Sequence, residues 1–133
     1  MNGENELSVL LRNMEPVLQK GEYVFCTVED VEKLDMADIL FYFREKEGIT
    51  VVVRKEYADK KRLSYSYVSA LITLSIHSNL EAVGLTAAFS NALAKEGISC
   101  NVVAAYYHDH IFIADSDADL AMKVLQKLSS GAL

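Results

Sequence analysis

The apolar positions of this chain form short runs and helical stripes that follow one another in a regular order. In the C-terminal half, "SALITLSI" (69–76) predicts a strand from its β-branched content and its length. Leu85, Ala88, Phe89, Ala92 and Leu93 then recur at i, i+3, i+4, i+7 and i+8, one face of an amphipathic helix. Gly97 ends that helix, because glycine tolerates a left-handed cap. "ISCNVVAAYY" (98–107) predicts a long strand, His108-Asp109-His110 the turn, and "IFIA" (111–114) the returning strand. A last helix carries Ala121, Val124, Leu125 and Leu128 on one side, with Ser116 as its N-terminal cap and Asp119 as first-turn negative charge.

The N-terminal half gives a strand at 23–28 ("YVFCTV"), a helix with Met36, Ile39, Leu40 and Phe43 on one face, and a strand at 49–56. A third strand falls within 62–68, and no helix fits between it and residue 69. An amphipathic stretch, "ELSVLLRNM" (6–14), and a strand-like "PVLQ" (16–19) come before all of these. They complete the first unit or are exchanged between the two, and the pattern leaves both arrangements open. "REKEGITVVV" (44–53) resembles "LAKEGISCNV" (93–102), an offset of 97 − 48 = 49 residues that also carries Tyr57 to Tyr106. The expectation is an α+β chain of two βαββ(α) units, residues 1–66 and 67–133, with antiparallel sheets packed side by side.

Composition narrows the functional classes. The 133 residues suit one compact domain or two very small ones. A net charge of −6, with Lys and Arg scattered, lacks the basic stripe of a phosphate-backbone binder, so nucleic acid is not expected as a partner. The acidic start and the lack of a long apolar run predict neither signal peptide nor membrane span, hence a cytoplasmic protein. Cys26 and Cys100, each in a strand-like stretch, are expected as buried reduced thiols.

The chemistry-bearing residues are few. His108 and His110 share a strand face and could share a metal, but two histidines leave zinc's coordination open, so no metal, cofactor or catalytic residue is assigned. Ser78 and Glu81 have the spacing of a capping box at the start of the long helix. Gly84, placed inside the first helical turns, costs up to ~1 kcal/mol relative to alanine and leaves room for close packing or for a ligand. Asn101 reads first as a hydrogen-bonding edge residue, and second as a ligand contact. Tyr106 and Tyr107 lack the basic neighbours of an RNA-binding sheet.

"LSIHSNLEAVGLTAAFSNALAKEGISCNVVAAYYHDHIFIADSDADLAMKVL" resembles the ACT domain of aspartokinase regulatory regions. With "GEYVFCTV" it looks similar to a group of small stand-alone tandem-ACT proteins. The resemblance implies ferredoxin-like units that bind small effectors, commonly amino acids, and that regulate rather than catalyse. It also implies a ligand site on the loop carrying His77, Ser78, Asn79, Glu81, Ala82, Val83, Gly84 and Leu85, joined by Asn101. Asp35 stands where the first copy would need the loop glycine, so that copy is not expected to bind. Non-enzymatic binding of a small molecule, an amino acid by expectation, is the leading reading, with a homo-oligomer formed through the ACT units allowed. The alternative is a structural or protein-interaction ACT protein with a vestigial ligand site.

Overall fold

The computed structural model describes residues 6–75 and 84–132. In chain order the regular elements begin with α1 (Glu6–Asn13), β1 (Glu15–Leu18), β2 (Tyr23–Val28), β3 (Ile39–Arg44), β4 (Ile49–Arg54) and α2 (Lys55–Lys61). They continue with β5 (Val68–Ser75), α3 (Leu85–Lys95), β6 (Asn101–Ala104), β7 (Asp109–Ala114) and α4 (Ala118–Ser130). Two compact units result: a central one, Lys20–Ala70, and an outer one assembled from the chain on either side of it.

In the central unit the strands lie in the order β3-β4-β2-β5, with antiparallel pairing. β2 pairs with β4 along its whole length, and Val68 and Ser69 of β5 pair with Val24 and Tyr23. The Ser69 hydroxyl, fully buried, donates to the Tyr23 carbonyl at 2.8 Å. Val24 with Cys26, and Val51 with Val53, recur at i, i+2 and share one core with Leu34, Tyr57 and Ala58.

Where a helix was expected to carry Met36, Ile39, Leu40 and Phe43, the chain makes two short 3₁₀ turns, Val31–Lys33 and Met36–Asp38, and then β3. The reason is local. Asp30 caps the first turn by accepting from the Glu32 N–H at 2.9 Å, and Asp35 opens the second. The following "ILFYF" is a continuous apolar run with one β-branched and three aromatic residues, which suits a pleated strand better than one helical face.

The strand expected at 49–56 ends at Arg54, and α2 occupies the next seven residues. Residues 62–67, where a third strand was expected, lie outside the regular elements, and the strand begins at Val68. α2 stops on Arg62, held left-handed at φ +58, with the Leu63 N–H bonded to the Ala58 carbonyl at 2.9 Å.

The outer unit uses the same strand order, β6-β7-β5-β1, but takes its last strand from the N-terminus. Glu15 to Leu18 pair antiparallel with Ser75 to Ile72, and the Gln19 N–H continues the ladder to the Leu71 carbonyl at 2.9 Å. The segment 6–19 is therefore exchanged into the unit of residues 71 onward. Ser129 of α4 donates to the Met14 carbonyl at 2.6 Å. Ile72 and Leu74, Ile111 and Ile113, Phe89 and Leu93, and Ala121 and Leu125 are all buried.

The expected helix with Leu85, Ala88, Phe89, Ala92 and Leu93 on one face forms, but it begins at Leu85, with Gly84 as its N-cap and not inside its first turns. Gly97 ends it at φ +74, with the Ile98 N–H on the Leu93 carbonyl at 3.0 Å. α4 starts after Asp117, not Ser116, which sits in a 3₁₀ turn, Asp115–Asp117; Asp119 lies in the first helical turn.

The long strand expected at 98–107 is shortened to Asn101–Ala104, and His108-Asp109-His110 is not the turn. Asp109 and His110 pair with Ala104 and Val103, and the turn passes through Tyr106 and Tyr107, closed by the Ala105 N–H on the His108 carbonyl at 3.0 Å. The matching turn of the central unit is closed by the Glu45 N–H on the Gly48 carbonyl at 3.0 Å. The hairpins are thus offset by 105 − 45 = 60 residues, laying the buried Val51-Val52-Val53 onto the buried Ile111-Phe112-Ile113. The 49-residue register fails, because it sets a hairpin glycine, Gly48, on a helix-terminating one, Gly97. The shared "KEG" reflects what two different turns both need.

Met14 is 2% exposed although it lies in the N-terminal segment. Met14→Ala is expected to cost about 2–5 kcal/mol in urea unfolding. Val17→Ala, on a strand residue that is 39% exposed, should change stability by under about 0.5 kcal/mol.

Candidate functional site

Of the residues expected to bind a ligand, His77, Ser78, Asn79, Glu81, Ala82 and Val83 lie outside the described residues, and the capping box of Ser78 and Glu81 lies there with them. Gly84 and Leu85 mark the start of α3. Gly84 is not inside the first helical turns: it is the N-cap, at φ +92 and ψ −15, and it offers no side-chain acceptor. The N–H groups of the first turn have no acceptor within the helix, so the start of α3 presents donors and a partial positive charge. A Cβ on Gly84 would lie 3.4 Å from Cδ2 of Leu7 on α1, an ordinary contact, so the constraint at this position is the backbone conformation. Leu85 is 2% exposed and belongs to the core.

Asn101 opens β6, on the far side of α3 along the chain, and its side-chain amide donates to the Phe112 carbonyl at 3.2 Å. It thus has the strand-edge bond that the sequence suggested.

In the central unit the position between first and second strand holds no helix. Asp35 caps the second 3₁₀ turn, its N–H donating to the Tyr57 hydroxyl at 2.9 Å and its carboxylate lying 4.0 Å from the Lys61 ammonium. The Asp35 N–H, bonded to Tyr57, fastens this turn to α2.

The polar contacts of the histidine hairpin were not legible in the sequence. His110 Nδ1 lies 3.0 Å from the Thr73 hydroxyl, which also accepts from the Gln19 side-chain amide at 3.0 Å. The Thr73 hydroxyl accepts from Gln19 and shares its second bond with His110 Nδ1, as donor or acceptor according to the imidazole tautomer. Burial and the neighbouring His108, whose ring centroid is 6.4 Å away, push the His110 pKa down, against a smaller opposing pull from Asp109. Burial pushes the Asp109 carboxyl up, and His110 partly offsets it. Among the described residues no group of three or more His, Cys, Asp or Glu side chains could hold a metal. Cys26 and Cys100 are free thiols, both raised in pKa by burial.

These directions give opposite pH effects. The contribution of His110 is fully present above its unfolded value of 6.5 and is lost as pH falls through its lower folded value. Asp109, raised above 3.8, instead penalises the native state at neutral pH and is relieved on acidification. Urea midpoints measured from pH 8 to 5 should fall less for His110→Gln than for the parent, and Asp109→Asn should be the more stable at pH 7.

Two ACT-domain sequence models match the chain, at residues 2–70 and 66–127. Among solved structures, a Vibrio cholerae protein of unknown function, described as a possible transport protein, is 46% identical, with a TM-score of 0.82 over 92% of this chain and 95% of its own. The regulatory subunit of aspartate kinase from Thermus thermophilus, in its ligand-free form, superimposes with a TM-score of 0.62 at 10% identity, covering 87% of this chain and 98% of its own. The aspartate kinase of Clostridium acetobutylicum gives a TM-score of 0.64 at 13% identity, over 85% of this chain and 34% of the kinase. The last two establish the fold alone. The comparison with curated proteins gave no match. No helix among the described residues is long and apolar enough to cross a membrane. The ferredoxin-like strand order, found twice, agrees with the tandem matches, and the chain belongs to the ACT-domain family.

Proposed function

We propose that the protein is a non-catalytic regulatory module that binds a small carboxylate-bearing effector, an amino acid being the expected class, at the start of α3. The observation that carries this reading is Gly84: a glycine N-cap in the left-handed region supplies no side-chain acceptor of its own to the first-turn N–H groups of an 11-residue helix. A ligand carboxylate satisfies such donors and gains from the helix dipole. Membership of a family whose domains are typically regulatory amino-acid binders supports the same assignment. The central unit, whose 3₁₀ turns replace the helix, acts as scaffold.

A thermal-shift screen of the amino acids, followed by calorimetry on any hit, tests the proposal. Gly84→Asn is the informative variant. Asparagine tolerates positive φ, so the stability loss should stay near ~1–2 kcal/mol, the left-handed penalty of an ordinary residue being its upper bound. Its side-chain oxygen would cap the donors meant for the ligand, so affinity should fall at least about tenfold. Unchanged affinity in this variant would move the site elsewhere, and silence across the screen would favour a vestigial site. Gly84→Val is the less informative variant, because a β-branched residue at φ +92 should cost more than the ~1 kcal/mol of helix propensity alone.

A further inference from the structure

α3 and α4 of the outer unit leave a groove between them of about 520 Å³. Its floor is apolar. Ala88 and Ala92 on α3, one turn apart, are too small to fill it, and Leu120, Val124 and Leu128 line it from α4 at i, i+4 and i+8. Leu120 is 43% exposed, although the helix could have placed a polar residue there. Lys95, Lys123 and Lys127 line the same groove, against a single acidic residue, Glu96. In a chain of net charge −6 this local excess of positive charge runs against the composition. Lys95 and Lys127 also complement the negative ends of their helices, being in the last turns, but Lys123 sits mid-helix and has no such role.

The lining residues run over 88–96, from α3 to its C-cap Glu96, and over 120–128 on α4. At about 1.5 Å per residue this is a trough roughly 13 Å long, enough for two to three turns of a third helix. We propose that the groove between α3 and α4 docks an acidic amphipathic helix of a partner protein. Its apolar face would lie on the Ala88, Ala92, Leu120 and Val124 floor, and flanking Glu or Asp side chains would meet Lys95, Lys123 and Lys127. Charge complementarity selects this occupant: a basic helix would be repelled by the lysines, and a neutral one would leave three cations beside a desolvated surface. The docking surface stands independently of any ligand at Gly84.

The test uses the full-length protein and a synthetic 18-residue peptide of leucines at helical spacing flanked by glutamates, with two controls: the same composition scrambled, and a version with lysines replacing the glutamates. Fluorescence anisotropy should show saturable binding of the acidic helix alone, weakened when ionic strength is raised from about 0.05 to 0.5 M. The K95E/K123E/K127E variant should weaken binding at least about tenfold without a change in circular dichroism. Leu120→Asp should weaken the same peptide while leaving all three lysines in place. Equal binding of all three peptides, or of the acidic peptide to parent and triple variant, would overturn the proposal. So would the absence of binding to the acidic helix. Sedimentation of the protein alone showing a dimer abolished by Leu120→Asp would instead assign the groove to a second copy, and anionic vesicles binding in place of the peptide would assign it to lipid.

Discussion

The structure of the outer unit depends on one edge. β5 carries β7 on one side, and its other edge, from Ile72 to Ser75, would present a row of unpaired backbone donors and acceptors if left open. The chain closes that edge with β1, drawn from more than fifty residues away in sequence: Leu18 faces Ile72 and Glu15 faces Ser75. Without β1 the unit has three strands of the ferredoxin-like four. The linear family matches, 2–70 and 66–127, hide this exchange, because a sequence model follows the chain and the ladder does not.

The exchange also builds the surroundings of the histidine hairpin and of the α3 start. Gln19, immediately after β1, anchors the Thr73 hydroxyl, and through it the His110 ring. Among the described residues, Leu7 of α1 is the side chain nearest to the Gly84 Cβ direction, so the N-terminal segment forms one wall beside the α3 start. Closure of a pairing with this sequence separation carries a chain-entropy cost before its contacts form, which places it late in folding.

Much of this was legible from periodicity alone. The stripe from Leu85 to Leu93, the stop at Gly97 and the strand around Leu71–Leu74 required only local patterning, and the structure follows it. The misreadings arose where local signals were mixed. Met36, Ile39, Leu40 and Phe43 fit a helical face, but Phe41 and Tyr42 between them made the run apolar on all sides, and the strand won. α2 was hidden because it ends on left-handed Arg62, without the glycine that usually marks a stop. His108-Asp109-His110 looked like a turn because its residues are polar, whereas the exposed Tyr106 and Tyr107 take the tip, with their rings packed edge-on 5.0 Å apart. At the candidate site, Gly84 was legible as a glycine of consequence but not as a left-handed cap, since nothing in the local pattern marks α3 as beginning there.

The two ACT units differ in helical content: in the central one the Asp35 N–H is bonded to the Tyr57 hydroxyl beside the core, while the outer one has a glycine N-cap on α3 and an apolar groove rimmed by lysines. All of these features of the outer unit rest on β1 being a full member of its sheet. Native-state hydrogen exchange, followed residue by residue by NMR, tests that directly. The Gln19 amide and the β1 amides directed at β5 should exchange only through the opening that exposes Ile111, Phe112 and Ile113 of β7. Exchange of β1 by local fraying, with β7 still protected, would contradict it.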